Sequence, residues 1–344
     1  MRRVLVLVLM LAVIAVPAPG TAESESTAEV DVSFTVRNTN RSGVPCPSDG
    51  RTYTVQGTLV GPADALAAPT AHRVNVLVHD ITTGGWFWRM PGHPEVDYAA
   101  RLADGGEISL VIDRLGYDAS PVRSGTSTCL GSQADVLHQI IEQVRAGTSA
   151  IPKPDDVVVH GHSVGAAIAQ AEASKWEDVD GLVLMSWSDA GVSPRAIRES
   201  ALQHAACLLG GGRNGAPRGY AWYGRTEADF RSIHFATAAD GVQQTATSLR
   251  NPDPCGDAVS LAQLVVLGNL LTRTIDVPVL LLFGGRDVLN RPGAANLQKN
   301  AYSPRSDVTV HKDPAVGGAL PLEAGAADLR TRVHEWLCAT SGCS

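Results

Sequence analysis

Ser163 is the residue whose neighbours most clearly prepare it for chemistry. It stands at the centre of residues 161–165, Gly-His-Ser-Val-Gly, which follow a β-branched run and open an alanine-rich segment. This G-x-S-x-G pattern in that context predicts a strand, a sharp turn and a helix, with the serine on the turn. The serine hydroxyl would then project at a helix N-terminus, where the helix dipole favours a developing negative charge. The pattern therefore predicts a nucleophilic serine at position 163.

Apolar segments that alternate with helical segments surround this turn in the sequence. Strands are predicted at residues 74–78, 108–112, 157–159, 182–185, 278–283 and 308–311. Because these strands are apolar on both faces and helices lie between them, we expect an α/β fold with a mostly parallel central sheet covered by helices on both faces. Residues 29–37 and 52–60 alternate apolar and polar positions, which predicts an N-terminal antiparallel strand pair at the sheet edge.

Residues 188–270 interrupt this alternation, with many helix formers and no clear strand. We expect them to form a helical cap insertion over the carboxyl edge of the sheet, where open α/β sheets bind ligands. The core domain then comprises residues 23–187 and 271–344. The aromatic residues of the cap either face an apolar ligand or form a small core of the cap itself.

The first residues predict export. Arg2 and Arg3 precede an apolar run over residues 4–16, which is short for a membrane span and typical of a signal peptide. Small residues at 20 and 22 predict cleavage after Ala22, with an uncleaved anchor as the alternative. We therefore expect residues 1–22 to be a signal peptide, and the protein to be secreted without a stable membrane anchor.

Composition narrows the partners and the chemistry. The formal net charge is −7 and no cluster of Lys and Arg is present, which argues against nucleic-acid binding.

An even number of cysteines in an exported chain favours disulfides, and many connectivities are open. Nearness along the chain favours three pairs: Cys338–Cys343, Cys207–Cys255 and, by what remains, Cys46–Cys129. Their spacing fits no zinc module, so we expect no metal and no cofactor, and a small-molecule ester or apolar ligand as the partner.

Four motifs carry a resemblance to a known family. Besides residues 161–165, they are residues 113–120 (Asp-Arg-Leu-Gly-Tyr-Asp-Ala-Ser), residues 284–287 (Gly-Gly-Arg-Asp) and residues 317–322 (Gly-Gly-Ala-Leu-Pro-Leu). Over roughly residues 73–336 the chain resembles the α/β-hydrolase superfamily, in particular its secreted bacterial esterase- or lipase-like members. The resemblance implies the α/β-hydrolase fold and a serine hydrolase mechanism.

The same resemblance assigns roles to further residues. Asp287 follows a strand and comes after the serine in the chain, as a triad acid that orients the base should. The oxyanion hole would use the backbone N–H groups of Val164 and Ile81. Asp113 would be structural, capping the turn after its strand. The pocket wall is expected to include four residues near the first core strand, the tryptophans having core packing as their alternative: Trp86, Trp88, His79 and Asp80.

Two departures from the family pattern bear on catalysis. The position of the family histidine is Gly318, and the remaining candidates for a base are His311, in the preceding strand, and His334, on the last helix. Asp80 replaces the glycine beside the oxyanion hole. A carboxylate about 5 Å from an oxyanion, at an effective dielectric constant of about 20, repels it by roughly 3 kcal/mol. That repulsion would slow the reaction about a hundredfold.

Two readings of the function follow. The first is a secreted serine hydrolase of small or lipid-like carboxylic esters, with Ser163 as nucleophile, Asp287 as triad acid and activity lowered by Gly318 and Asp80. The second is a catalytically degenerate or non-hydrolytic protein of the same fold, either a ligand-binding protein or a lyase or cyclase with Asp80 as a new acid or base. A histidine within hydrogen-bond reach of Ser163 would favour the first reading.

Overall fold

The apolar segments form one large sheet in the computed structural model, which describes residues 26–343. The predicted signal peptide, residues 1–22, lies outside the described residues. The strands of the main sheet are β1 (Thr27–Arg37), β2 (Thr52–Pro62), β3 (Thr70–Val78), β4 (Ile108–Ile112), β5 (Lys153–His162), β6 (Gly181–Met185), β9 (Val279–Gly284) and β10 (Val308–Asp313). Their order across the sheet is β1-β2-β4-β3-β5-β6-β9-β10.

Strand direction follows the hydrophobic pattern. The strands from β4 to β10 in this order are all parallel to their neighbours, whereas β1 pairs antiparallel with β2, and β2 antiparallel with β4. In β1 the side chains of Val32, Phe34 and Val36 are buried and the residues between them are exposed. The mostly parallel sheet and the N-terminal antiparallel pair are confirmed. Of the two strands in this pair only β1 is an edge strand, because β2 also pairs with β4.

Ten α-helices occur among the described residues, and the longer ones cover both faces of the sheet. They are α1 (Ala63–Ala67), α2 (Tyr98–Ala103), α3 (Leu130–Ala146), α4 (Val164–Trp176), α5 (Pro194–Leu208), α6 (Glu227–His234), α7 (Asp240–Leu249), α8 (Cys255–Leu271), α9 (Ala294–Lys299) and α10 (Ala326–Ser341). Helices α3 and α4 share one hydrophobic core with one face of the sheet, and α2 and α10 share a second core with the other face. The prediction of helices on both faces is confirmed.

The segment between β6 and β9 adds no strand to the main sheet. It contains α5 to α8 and a short antiparallel ribbon of β7 (Tyr220–Ala221) and β8 (Asp253–Pro254). Helix α8 packs against α3, α4 and α5. The stretch Cys255–Thr274 is long and apolar enough to cross a membrane by length and composition, but half of it is buried inside the protein. The boundaries of a cap at residues 188 and 270 remain a prediction.

Three disulfides join the pairs that nearness along the chain favoured. They are Cys46–Cys129, Cys207–Cys255 and Cys338–Cys343. The second bond ties the C-terminal turn of α5 to the first turn of α8, so it couples the two helices that stand above the carboxyl edge of the sheet. Three disulfides are compatible with a secreted protein.

Candidate active site

Ser163 lies on the sharp turn between β5 and α4. Its φ is 49° and its ψ is −116°, a conformation that costs energy for a residue with a side chain. The turn is this tight because glycines flank it: a Cβ at Gly161 would collide with the backbone of Ala166, and one at Gly165 with the backbone of Val78. The predicted strand, turn and helix therefore form around the serine, which is 7% exposed.

An apolar cavity of about 530 Å³ opens above Ser163. Its floor includes Asp80, Ile81 and Val164, at the carboxyl edge of the sheet. Its opposite wall is formed by Ile197, Ser200, Ala201, His204, Ala205 and Leu208 of α5 and by Ala258, Leu261, Ala262, Val265 and Val266 of α8. A cavity of this size with mostly aliphatic walls suits a small or medium-sized apolar group.

The Asp80 carboxylate occupies the place where an oxyanion would be stabilised. The Val164 N–H donates a hydrogen bond of 2.9 Å to Asp80 Oδ1. Burial raises the pKa of Asp80 to about 7, and the Val164 N–H, the Ser163 hydroxyl and the Ile81 N–H oppose that rise. Asp80 therefore affects the expected oxyanion hole in two ways. Its charge would repel an oxyanion, and its Oδ1 already accepts one of the two N–H groups expected to form the hole.

Asp287 and Gly318 adjoin each other. A Cβ built on Gly318 would lie 3.2 Å from the Asp287 carboxylate carbon, so residue 318 stands where a base beside this acid would stand. The Asp287 carboxylate instead accepts hydrogen bonds from the Leu289 N–H at 2.8 Å and from Asn290 Nδ2 at 2.7 Å. Burial raises the pKa of Asp287, and the Asn290 side chain opposes this. Asp287 thus has the location of a triad acid without an imidazole partner.

His311 does not reach the serine. It lies on β10 opposite Leu282, and the charged groups that act on its imidazole are Arg332, Asp313 and Asp328. It lines a separate small cavity between β10 and α10. As a substitute base for Ser163, His311 is therefore a prediction that the geometry contradicts, because its strand carries the side chain toward α10. His334, on α10, packs near Gly105 and Cys338 and is equally remote from the serine cavity.

Three residues expected in the pocket wall lie elsewhere. The His79 ring is fully buried; its Nδ1–H donates to the Asp80 carbonyl at 2.7 Å and its Nε2 accepts the Arg114 N–H at 3.0 Å. Trp88 is buried in the core shared with α2, and Trp86 lines another cavity beside Asp113 and Asp118. A 3-10 turn at Gly85–Phe87 directs both tryptophans away from the serine. Of the four residues expected in the wall, Asp80 alone borders the cavity.

The loop after β3 is held by carboxylates. Asp253 Oδ1 accepts the Thr82 N–H at 2.6 Å, and Asp113 Oδ1 accepts the Gly85 N–H at 3.0 Å. Asp113 Oδ2 also accepts the Ala119 N–H at 3.2 Å, as expected for a residue that caps its turn. The first two bonds hold the backbone that follows Ile81, at Thr82 and at Gly85.

Two histidines at the site had no catalytic role in the sequence-based prediction: His162, which is part of the serine motif, and His204. His162 Nε2–H donates to the Gly318 carbonyl at 2.9 Å, and burial lowers its pKa to about 4. His204 projects from α5 into the wall of the serine cavity. The wall residues of α5 recur at helical spacing from Ile197 to Leu208, so an amphipathic stripe was the available signal for His204. Among the described residues, the groups that could ligate a metal lie outside this cavity.

Comparison with known proteins was made for sequence and structure. Residues 76–323 match the alpha/beta hydrolase family. A thermophilic esterase from Thermogutta terrifontis is similar in structure, with a TM-score of 0.64, 18% identity, and 89% of this chain and 99% of that chain covered. A hydrolase from Pseudomonas aeruginosa PA01 has a TM-score of 0.61 and 19% identity over 85% of this chain and 97% of that chain. A monoacylglycerol lipase from Paleococcus ferrophilus has a TM-score of 0.56 and 16% identity over 91% and 99% of the two chains.

At such identities these structures show a shared fold and nothing about substrate. No curated protein matches the sequence. The family match, in contrast, covers well over half of the chain, including the Ser163 turn, the Asp287 turn and the Gly318 loop. The chain therefore belongs to the alpha/beta hydrolase family.

Proposed function

We propose that the protein is an exported serine hydrolase of the esterase or lipase kind, which cleaves small or lipid-like carboxylic esters with Ser163 as the nucleophile. The observation that carries this proposal is the position of Ser163 on its strained turn at the floor of an apolar cavity of about 530 Å³. The aliphatic walls from α5 and α8 favour an apolar acyl group over a charged one.

The base in this proposal is Asp80. With no histidine at residue 318, the Asp80 carboxylate is the titratable group next to the Ser163 hydroxyl, and a pKa of about 7 suits a general base. Asp80 takes the Ser163 proton as Oγ forms a bond to the ester carbonyl carbon. It then returns that proton to the leaving alkoxide as the ester C–O bond breaks. In the second half of the reaction Asp80 takes a proton from the water that attacks the acyl carbon. It returns that proton to Ser163 Oγ as the bond between the acyl carbon and Oγ breaks and the carboxylic acid leaves.

A neutral Asp80 would also not repel the oxyanion that forms beside it. Once it holds the serine proton, its carboxyl group carries no charge and can donate a hydrogen bond, so the Val164 and Ile81 N–H groups become available to the oxyanion. The sequence-based expectation of about 3 kcal/mol of repulsion applies to the ionised carboxylate only. The same residue would therefore act as base and as part of the oxyanion site.

The test combines three variants with p-nitrophenyl esters of increasing chain length and a fluorophosphonate probe. Ser163→Ala should lose both labelling and turnover. Asp80→Asn should lower kcat about 10²–10⁴-fold if Asp80 is the base, whereas a rise would mean that the carboxylate only obstructs the oxyanion hole. His204→Ala is the matched control; loss of activity there with Asp80→Asn active would assign the base to the cap histidine.

A second candidate function is a non-hydrolytic, ligand-binding one. It is favoured by the hydrogen bond that the Val164 N–H donates to Asp80, and by the absence of an imidazole beside Asp287. It predicts that a fluorescent fatty acid binds in the cavity while ester turnover and fluorophosphonate labelling stay at background. Turnover that depends on Ser163 would exclude it.

Export is part of the proposal and has its own test. The three disulfides and the basic-apolar N-terminus support it. When the full chain is expressed in a secreting bacterial host, intact-mass analysis of the medium should find a protein that begins at Glu23. Retention of residues 1–22 in a membrane fraction would contradict this.

A further inference from the structure

A buried cluster of His138, Glu172 and Asp178 lies away from the serine cavity. His138 belongs to α3, Glu172 to α4, and Asp178 to the turn that follows α4. One potential ligand atom from each lies within 4.8 Å of the other two. His138 Nδ1 is 2.7 Å from Asp178 Oδ2 and 3.7 Å from Glu172 Oε1. The cluster joins the middle of α3 to the C-terminal part of α4 and takes no part in the proposed ester chemistry.

Glu172 is the unusual member of this cluster. Its side chain is 0% exposed, and neither carboxylate oxygen accepts a hydrogen bond from a described residue, although the Asp178 carboxyl lies beside it. Asp178 Oδ1 is buried and equally without a partner. Buried polar oxygens are nearly always hydrogen-bonded, and a buried carboxylate without compensation is costly. A cation bound between the two carboxylates and the imidazole would explain why these three buried oxygens, two of Glu172 and one of Asp178, accept no hydrogen bond.

We propose that His138, Glu172 and Asp178 bind one divalent transition-metal cation, with Zn²⁺ as the ion of best fit. Two carboxylates and a neutral imidazole balance a charge of +2. An imidazole nitrogen beside carboxylates suits zinc better than magnesium or calcium, which prefer oxygen ligands throughout. Ligand atoms around a tetrahedral ion with bonds of about 2.0–2.1 Å lie roughly 3.3 Å apart, which falls between the two distances from His138 Nδ1.

The surroundings of His138 fit a ligand held in place. Its other ring nitrogen, Nε2, is 3.7 Å from Glu142 Oε2, so a carboxylate stands behind the imidazole, as is common for metal-bound histidines. The ring is stacked on Trp176 with 4.4 Å between centroids and 8° between planes. The orientation of the imidazole is therefore fixed from two sides while Nδ1 faces the carboxylates.

The test measures zinc on the purified protein after removal of metals with EDTA. Equilibration with ZnCl₂ at pH 7.5 and elemental analysis should find one zinc per chain, and zinc should raise the melting temperature. Glu172→Gln should lower zinc affinity at least about tenfold, since even outer-shell changes cost roughly 10–100-fold, and should abolish the zinc-dependent rise in melting temperature. Glu177→Gln is the matched control, an exposed neighbour of Asp178 that should bind like the parent protein.

Folding and binding are separated by two further readouts. In EDTA, Glu172→Gln should melt no lower than the parent protein, because the amide relieves an uncompensated buried carboxylate. With Co²⁺ as the probe, the parent protein should show the visible absorption of a tetrahedral site and Glu172→Gln should not. A parent protein that retains no zinc, shows no cobalt spectrum and melts at the same temperature with and without zinc would overturn the proposal. The cluster would then be two carboxylates that share a proton.

Discussion

Residue 318 decides what the Asp287 carboxylate can do. With glycine there, the carboxylate is satisfied by the Leu289 N–H and Asn290, and the loop is held by the hydrogen bonds that its carbonyl accepts from His162 and Ser186. The backbone of Gly318 does not have a positive φ, so a residue with a side chain can be placed there without backbone strain. The remaining obstacle is space, because the new Cβ would stand 3.2 Å from Asp287.

The double variant Gly318→His with Asp80→Gly should be a more active esterase than Gly318→Ala with Asp80→Gly, which has neither base. It supplies an imidazole beside Asp287 and frees the Val164 N–H for the oxyanion, and a positioned general base contributes about 10²–10⁴-fold. The measurement is kcat/KM on p-nitrophenyl butyrate. Gly318→Ala with Asp80→Gly is the control, since it introduces the same crowding against Asp287 without the imidazole. Equal rates for the two double variants would reject the idea that residue 318 is the base position.

The buried carboxyl of Asp80 should make stability depend on pH in an unusual direction. Its pKa in the folded protein is about 7, raised by burial, against about 4 for an unfolded carboxyl. Between these values the folded state binds more protons than the unfolded state, so this residue's contribution to the free energy of unfolding falls as pH rises from about 4 to 7. Each pKa unit is worth about 1.4 kcal/mol, so the loss amounts to about 4 kcal/mol at most.

Urea denaturation of the parent protein and Asp80→Asn at pH 4.5 and pH 8 measures this contribution. The variant keeps an oxygen that can accept the Val164 N–H but carries no titrating group. The free energy of unfolding of the variant, relative to that of the parent protein, should therefore increase as the pH is raised. Parallel pH profiles for the two proteins would show that Asp80 titrates normally in the folded state.

Helices α5 and α8 determine the size of the serine cavity. Each presents small and aliphatic residues at helical spacing to the space above Ser163. On α8, Ala262 lines the cavity whereas the neighbouring Gln263 does not. Under the proposed function, we expect the accepted length of acyl chain to depend on these two helix faces.

Ala262→Trp should shorten the accepted acyl chain. A bulky ring in the wall displaces the distal methylenes of a long ester, and each methylene in an apolar pocket is worth roughly 1–3 kcal/mol. The ratio of kcat/KM for p-nitrophenyl octanoate over acetate should fall at least about tenfold. Gln263→Trp, one residue away on the exposed side of α8, should leave that ratio unchanged. A similar fall in both variants would indicate that the substitution disturbs the helix and not the cavity.

The elements of the core could be predicted because their signals are local. The motif predicted the strand, turn and helix of β5 and α4, and the apolar run 278–283 predicted β9 within one residue of its observed bounds. The short helices α2 and α9 were missed, because six residues are too few for a helical period to stand out.

The cavity wall could not be predicted, because it depends on how α5 and α8 dock over the sheet. The chain distance from Ser163 to His204 contains no information about that docking. The position of the Asp80 carboxylate likewise depends on a residue distant in the chain, because it accepts the Val164 N–H across 84 residues. The tryptophans of residues 86–88 were placed in the pocket by nearness in sequence, whereas the 3-10 turn points them elsewhere.

At the scale of the whole molecule, one disulfide cross-links the inserted segment within itself, and packing together with buried polar contacts such as the Arg114–Asp257 ion pair joins the segment to the core. Cys207–Cys255 closes a loop of 48 residues and links the two helices of the cavity wall. Exposed apolar side chains surround the cavity mouth, among them Leu208 at 72% and Val266 at 74% exposure. The wall that selects the substrate is therefore also the part of the described fold with the most uncovered apolar surface.

Replacing Cys207 and Cys255 by serine should loosen this wall. A disulfide that closes a loop of this length typically stabilises a protein by about 2–4 kcal/mol. Unfolding in urea should show a loss of that order, and binding of a fluorescent fatty acid should weaken. The pair Cys338→Ser with Cys343→Ser is the control, because that bond closes a short C-terminal loop far from the cavity. If fatty-acid binding weakened equally in the control, the effect could not be assigned to the Cys207–Cys255 bond between α5 and α8.

Helix α4 carries Ser163 at its N-terminal cap and Glu172 nine residues further along, which at about 1.5 Å per residue corresponds to roughly 14 Å. Helix α4 is held in two places. The strained turn at Ser163 holds its N-terminal end, and packing against α3 holds its C-terminal part. Because α4 is one continuous helix, a displacement of its C-terminal part should also move the turn that carries Ser163. A shift of about 1 Å in a reacting group can cost roughly a hundredfold in rate. Under the proposed function, we therefore expect the packing of α3 against α4 to affect how accurately the Ser163 hydroxyl is positioned.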